Sequence, residues 1–213
     1  MPRTVARTAS ATRQLGGGES DAAVIAAAAK GFRTCNGYHE DERCKRPPEV
    51  EDAVANVHDV AAYILQKQGS MSTMKLQKLL YYAQAWNLAW EERPLFEAKI
   101  EAWANGPVVW EIFNEHRGEF EIAPPWTSGS VSRLTSVDRA TVEAVLAGYG
   151  GLTGRRLSLL THAEDPWREA REGLGPTDRS TAEITPESMQ AFYAALDAAE
   201  DAKPVEDIDW GAS

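Results

Sequence analysis

Apolar residues recur every three or four positions along two neighbouring stretches of the chain. The first stretch follows Asn56, a residue type that often caps helices, and ends at Gly69. The second runs through MKLQKLLYYAQAWNLAWEE, with Ser72 or Thr73 as its cap and Pro94 beyond its end. This spacing predicts two amphipathic helices. Their buried faces comprise Val57, Val60, Ala61, Ile64 and Leu65 in the first helix and Leu76, Leu79, Leu80, Ala83, Trp86 and Trp90 in the second.

A shorter period follows the second helix. The segment IEAWA alternates small or apolar side chains with Glu101 and Trp103, which indicates a short strand or one arm of a hairpin. Asn105 and Gly106 then form a turn signal, and Pro107 fits the first position of a helix. We therefore expect a third helix through VVWEIFNEH, with these side chains inward: Val108, Val109, Ile112 and Phe113.

Helices also dominate the second half of the predicted fold. Residues 117–135 are rich in Gly, Pro and Ser and predict a long surface connection. Helices are expected over about residues 137–148, capped by Ser136, over about 154–162, capped by Thr153, and from Pro186 onward. Asp165-Pro166-Trp167 can start a short helical turn between them. The pattern predicts a mainly α fold of about five to six helices with a small antiparallel β element.

Three regions differ in composition. Residues 1–50 combine scattered arginines, a Gly triplet and a double proline, and we expect a poorly ordered basic extension. Residues 51–199 should form the helical domain, and residues 200–213 a flexible acidic tail. An alternative for the first region is that it lies upstream of the true start of translation. N-terminal sequencing of the native protein that found Met1 or Pro2 would contradict that alternative.

The charge balance limits the choice of partners. The chain has 22 Lys/Arg against 32 Asp/Glu, a net charge of −10, and residues after 47 account for −13 of it. Such a domain repels a phosphate backbone, so nucleic acid is an improbable partner and a basic protein partner is favoured. The alternative is that the negative charge only maintains solubility. No apolar run is long enough to span a membrane, and the N-terminal residues lack a signal-peptide core, so we expect a cytoplasmic protein.

Chemistry-bearing motifs are sparse. Cys35, His39 and Cys44 could offer three zinc ligands, but their spacing is not the tight clip of known zinc sites, and we expect no bound metal. Phosphate-binding loops, the hydrolase nucleophile elbow and the H-E-x-x-H motif are missing from the sequence. The carboxylate pairs at Glu91-Glu92 and Glu164-Asp165 lie at predicted helix ends, where acids solvate or cap. The sequence therefore predicts neither catalysis nor a cofactor.

A cationic and aromatic stripe marks the polar side of the second helix. Lys75, Lys78 and Tyr82 are spaced i, i+3, i+7, and these residues flank them: Gln77, Tyr81 and Gln84. One interpretation is a solvated face whose tyrosines pack partly on the hairpin. The other is a protein interface, because tyrosine and tryptophan supply rigid contact area. Trp103, in the turn region, is a further candidate for such an interface.

Several segments together resemble the Panacea family, also called SocA-like antitoxins. The resemblance spans about residues 54–172 in the family's order. It is carried by KLQKL with Tyr81-Tyr82, by Ala102-Trp103 with Gly106-Pro107-Val108, and by the motif Thr161, His162, Pro166 and Trp167. The resemblance implies a mostly helical domain encoded beside a toxin, which it neutralises by direct contact. The basic extension and the acidic tail lie outside the match.

These observations lead to one functional prediction and one alternative. The prediction is an antitoxin of a type II-like module that binds a cognate toxin, with candidate contacts at Lys75, Gln77, Lys78, Tyr81, Tyr82, Trp103, Asn105 and Pro107. Thr161, His162, Pro166 and Trp167 are expected to have a structural role. The alternative is an adaptor that delivers a client, for example to a cellular protease, without inhibiting it. An enzyme of mobile-element origin is a third hypothesis, but it lacks a matching constellation of residues.

Overall fold

Seven α-helices and two small antiparallel strand pairs make up residues 54–201, the part of the chain that the computed structural model describes. The helices are α1 (Val57–Gln68), α2 (Thr73–Glu91), α3 (Trp110–Glu115), α4 (Ser136–Tyr149), α5 (Gly154–Ala163), α6 (Asp165–Ala170) and α7 (Pro186–Asp201). The strands are β1 (Met71–Ser72), β2 (Ile100–Trp103), β3 (Gly106–Val109) and β4 (Glu121–Ile122). The predicted fold class, mainly α with a small antiparallel β element, is confirmed. Where the sequence predicts only a short helical turn, the structure has helix α6, which brings the number of helices to seven in the described residues.

Some predictions concern residues outside this range. The poorly ordered extension, the possible zinc ligands Cys35, His39 and Cys44, and the acidic tail beyond residue 201 lie outside the described residues. Within residues 54–201, no helix is both long enough and apolar enough to cross a membrane.

Side-chain caps place the helix starts. The predicted caps of α1, α2 and α5 are present, as the side chains of Asn56, Ser72 and Thr153 accept backbone N–H groups of the first turn. Helix α4 begins one residue earlier than expected, because Thr135 and not Ser136 is its cap. Thr135 and Asp138 form a reciprocal capping box, in which each side chain accepts the other residue's N–H.

Helix α2 lies at the centre of the fold and is buried on all sides from Leu76 to Leu88. It packs against α7, α5, α4 and the β2–β3 hairpin. The prediction of an amphipathic helix with one solvated side is therefore wrong for α2. Only Lys75, Lys78 and Glu91 are charged in its 19 residues, and a helix with so few charges is typical of a surrounded position.

The polar residues of α2 are tolerated inside because they bind backbone groups of the loops around them. The Oε1 of Gln84 accepts the N–H groups of Leu95 and Phe96 at 3.0 and 3.1 Å. The Nδ2 of Asn87 donates to the carbonyl of Arg93 at 2.8 Å. These bonds satisfy buried groups that would otherwise cost free energy, and they fix the chain between α2 and β2.

The hairpin turns through Ala104 and Asn105, with Trp103 opposite Gly106 and Ala102 opposite Pro107 in the register. Pro107 thus lies in a strand, and the prediction that it starts a helix is wrong. The positive φ of Gly106, 97°, reverses the chain and directs the next residues back along β2. The third helix, α3, starts only at Trp110.

The long connection after α3 is anchored to the fold. Strand β4 pairs with β1 ahead of α2, a pairing that the sequence pattern did not indicate. Further along, the buried carboxylate of Asp59 accepts a hydrogen bond from the N–H of Ser130 at 2.6 Å. It also forms an ion pair with Arg133 at 2.7 Å. The connection therefore lies over α1 in a defined path.

Candidate functional site

Side chains from three helices hold the hairpin turn. The Nζ of Lys78 donates to the carbonyl of Pro107 at 2.9 Å, and the Oγ of Ser158 donates to that of Asn105 at 2.8 Å. The indole Nε1 of Trp167 donates to the carbonyl of Trp103 at 3.0 Å. The structure thus brings together residues from all three segments that carry the family resemblance.

Gln77 holds the other end of the hairpin. Its Oε1 accepts the N–H of Val109 at 2.7 Å, and its Nε2 lies 3.1 Å from the Nε2 of His116. The Gln77 side chain thus binds the backbone of Val109 as a neighbouring strand would, and the N–H of Val109 is satisfied without a further strand beside β3. Gln77 is buried and acts on the backbone of the hairpin.

Lys75 lies apart from this group. Its Nζ donates to the carbonyl of Gly150 at 2.6 Å, at the end of α4. Its side chain is only partly buried. Lys75 and Lys78 therefore contact different parts of the fold, although their spacing predicts a shared stripe.

Lys78 is enclosed, with 1% of its surface exposed. Burial lowers the pKa of its amine to about 7. Tyr81 and Tyr82 are also fully buried. The expectation that the helix presents Lys78 and Tyr82 to a partner on its surface is therefore wrong. In this structure these side chains can influence a partner only through the hairpin and the helices that they support.

A carboxylate surrounded by tyrosines lies one turn further along α2 from Lys78. The hydroxyls of Tyr81, Tyr82 and Tyr193 all donate to the buried Glu164, at 3.0, 2.9 and 2.9 Å. Burial raises the pKa of this carboxyl to about 7, against the opposing effect of the three hydrogen bonds. The interpretation of Glu164 as a solvated or capping acid is wrong. It joins α2, α7 and the α5–α6 junction at one point.

Aromatic rings extend this cluster into the core. Tyr149 stacks on Tyr82 with ring centroids 4.0 Å apart, and its hydroxyl accepts the indole N–H of Trp86 at 3.1 Å. Burial also raises the pKa of the Tyr82 and Tyr193 hydroxyls well above the usual value, so they stay protonated donors. Sequence reasoning missed the cluster because its members come from three helices and the α5–α6 junction. The adjacent Tyr81-Tyr82 pair was the one available signal.

The structural motif lies between this cluster and the hairpin. His162 stacks on Trp167 with centroids 4.1 Å apart, and its buried Nε2 has no hydrogen-bond partner among residues 54–201. Burial and the nearby charges of Lys78 and Arg171 lower the pKa of its imidazole. Thr161 is buried and donates to the carbonyl of Ser158 at 3.0 Å. Pro166, also buried, is at the start of α6.

A surface pocket of about 390 Å³ opens beside the turn. It is lined by Trp103, Ala104, Asn105, Arg179, Ser180 and Thr181. The segment on its far side is fixed to the hairpin, since Ala102 donates its N–H to Ala182 at 2.8 Å and Ile184 donates to Ile100 at 2.9 Å. The pocket therefore has ordered walls on both sides.

Comparison with known protein families agrees with this arrangement of residues. The model of the family "Antitoxin SocA-like, Panacea domain" matches residues 76–168. This segment of the chain is similar to the SocA-like Panacea domain. A curated relative, Antitoxin SocA of Caulobacter vibrioides (strain NA1000 / CB15N), is 28% identical over 146 residues, which cover 61% of this chain and 78% of the relative. No solved structure gives a significant match.

The segment that matches the Panacea model includes the hairpin, its supporting residues on α2 and the buried Glu164. It ends before Tyr193 and before the pocket residue Arg179. The domain therefore needs residues beyond the matched segment, in α7, to complete the tyrosine cluster.

Stability should depend on pH through Lys78. Its pKa is lowered on folding from 10.5 to about 7, so between these values the unfolded chain binds more protons and stability rises with pH. We expect the wild type to gain stability relative to Lys78→Met between about pH 7 and pH 9, as measured by urea unfolding. Lys75→Met, at the partly exposed lysine of α2, is the control. A stability difference between wild type and Lys78→Met that stays constant with pH would contradict the assignment.

Proposed function

We propose that this protein is an antitoxin that binds a cognate toxin directly and neutralises it, as one half of a type II-like module, without catalysing a reaction. The match to the Panacea domain carries the proposal, and the name of the curated relative agrees with it. The toxin is proposed to be encoded next to this protein. Direct contact with the toxin is the part of the proposal that goes beyond the match to the family.

The rigid hairpin turn supports the part of this proposal that concerns contact. Its backbone carbonyls at Trp103, Asn105 and Pro107 are each held by a side chain from a different helix. A surface held in one conformation before binding loses little conformational entropy on association. Asn105 is exposed at the tip, and the pocket lies beside it.

The candidate residues divide into two roles under this proposal. Trp103 and Asn105 would contact the toxin. Pro107 and four residues of α2 have buried side chains, so they would position the turn from beneath and not touch the toxin. The four α2 residues are Gln77, Lys78, Tyr81 and Tyr82. Lys75, whose side chain is partly exposed, would act at a separate place near the end of α4.

Growth and co-purification test the proposed function. The product of the neighbouring reading frame is expressed from an inducible promoter, with and without this protein. Growth arrest by the neighbour, rescue by this protein and isolation of a stable complex would support direct neutralisation. A harmless neighbour, or rescue without a complex, would contradict it. A complex in which the toxin stays active would favour the adaptor alternative.

Asn105→Arg should weaken the complex without unfolding the protein. The side chain is exposed, and the stabilising bond at this position uses its backbone carbonyl, so the free energy of unfolding should change by less than about 0.5 kcal/mol. A bulky cation at the centre of a contact should lower toxin affinity at least about tenfold, as measured by calorimetry. Gln66→Arg, at an exposed position of α1, is the control. Equal affinities for both variants would exclude the turn tip from the contact.

A further inference from the structure

Next to the hairpin, three aromatic side chains and one arginine form a surface cluster that we term the aromatic patch: Trp103, Trp110, Phe113 and Arg117. The ring centroid of Trp103 lies 6.2 Å from that of Trp110 and 4.7 Å from that of Phe113. The Arg117 guanidinium lies 5.5 Å from the centre of Trp110. Trp110 is 42% exposed, a large area for a tryptophan beside other aromatic rings.

Three of the four patch residues, Trp110, Phe113 and Arg117, lie in an acidic segment. Residues 110–122 contain four exposed glutamates and one basic residue: Glu111, Glu115, Glu119, Glu121 and Arg117. The single cation lies against the rings of Trp110 and Phe113, where it is part of the patch. The glutamates therefore give the segment that carries the patch an excess of negative charge.

These features are typical of the centre of a protein interface. Tryptophan and arginine are the residues that most often dominate binding energy, and a charged rim sets the choice of partner. Trp103 also lines the pocket beside the turn, so the patch and the pocket form one continuous surface. A partner side chain placed in the pocket would lie beside the patch.

We propose that a lysine- or arginine-rich segment of the toxin, with an aliphatic or aromatic residue at its centre, docks on the aromatic patch. This inference rests on the proposed function and specifies the chemistry of the partner. A second copy of this chain is a poor occupant, because both copies would bring the same glutamates together in proteins of net charge −10. The exposed glutamates of residues 110–122 instead attract a basic segment.

The test uses the full chain and the neighbouring gene product that it neutralises. Trp110→Ala should lower toxin affinity by about tenfold to a hundredfold, measured by calorimetry. Leu159→Ala removes an apolar side chain of similar exposure, 53%, outside the patch, and should leave the affinity within about twofold.

Charge reversal tests the basic nature of the partner. Glu111→Lys with Glu115→Lys should lower affinity at least about tenfold and reduce its dependence on salt. Glu97→Lys with Glu187→Lys changes the net charge by the same amount at exposed positions outside the patch, and is the matched control. Glu111 and Glu115 are both exposed, so this variant remains informative if Trp110→Ala fails to fold.

The outcomes separate the two proposals. If the wild type neutralises the toxin and the patch variants bind like their controls, the patch proposal is overturned while the proposed function stands. If the wild type neither neutralises nor binds the neighbour, the proposed function fails and the patch proposal with it. Sedimentation of the wild type as a dimer that Trp110→Ala dissociates would assign the patch to a second copy. Tighter toxin binding after Arg43→Glu with Lys45→Glu would assign it to the chain's own N-terminal segment.

Discussion

Replacing Glu164 with alanine is expected to lower the free energy of unfolding by about 3–5 kcal/mol. Three buried tyrosine hydroxyls donate to this carboxylate, and alanine leaves all three without an acceptor. Each unsatisfied buried hydroxyl costs about 1–3 kcal/mol. The loss is limited because the substitution also removes the free-energy cost of burying the Glu164 carboxyl, a cost that is seen in its pKa, which is raised to about 7. Urea unfolding followed by tryptophan fluorescence measures the effect.

Two variants separate the cluster from a general effect of losing an acid. Asp165→Ala removes the adjacent exposed carboxylate and should change stability by less than about 0.5 kcal/mol. Glu164→Gln keeps one acceptor oxygen and should cost about 1–2 kcal/mol. A Glu164→Ala variant as stable as Asp165→Ala would show that the tyrosine hydroxyls find other partners.

Gly106→Ala should lower the free energy of unfolding by about 2–4 kcal/mol. Gly106 has a φ of 97°, and a Cβ there would lie 2.6 Å from the Cε of Lys78 and 2.9 Å from the Oγ1 of Thr161. Both the backbone strain and the clash at the buried Lys78 oppose the substitution. We also expect weaker neutralisation, because the Lys78 bond to the hairpin would shift.

Gly118→Ala provides the matched control for this prediction. Gly118 has a similar φ, 91°, but a Cβ there meets no atom within 4 Å. Its substitution should cost about 1 kcal/mol, from backbone strain alone. In a Lys78→Ala background, the cost of Gly106→Ala should fall towards that value, as a double-mutant cycle would measure. Equal costs for the two glycine variants would contradict the close approach.

The sequence pattern predicted the helices well where local chemistry controls them. Asn56 and Gly69 bound α1 as expected, and Thr153 caps α5. Caps and apolar periodicity act within a few residues, so they can be read from the sequence without knowledge of the fold. Pro107 was misassigned because a proline after a turn suits both a helix start and a strand. Pairing with β2 decided between the two.

The candidate site was predicted only in part. The resemblance to the Panacea family singled out the hairpin, Lys78 and Trp167, and in the structure Lys78 and Trp167 each bind the hairpin. It did not indicate which of them are exposed. The sequence pattern does not indicate the role of Glu164, because helix ends usually face solvent, whereas this junction is covered by α2 and α7.

The mainly helical class, most helix ends and the acidic character of the chain follow from the sequence alone, because these depend on local spacing and composition. Packing of the folded chain was needed to show that α2 is surrounded, that Lys78 supports the hairpin, and that Tyr193 completes the Glu164 cluster. Those features require contacts between residues far apart in the chain, such as Tyr81 and Tyr193. Burial is set by what packs around a residue, so a stripe that looks solvated in one helix can become the centre of the fold.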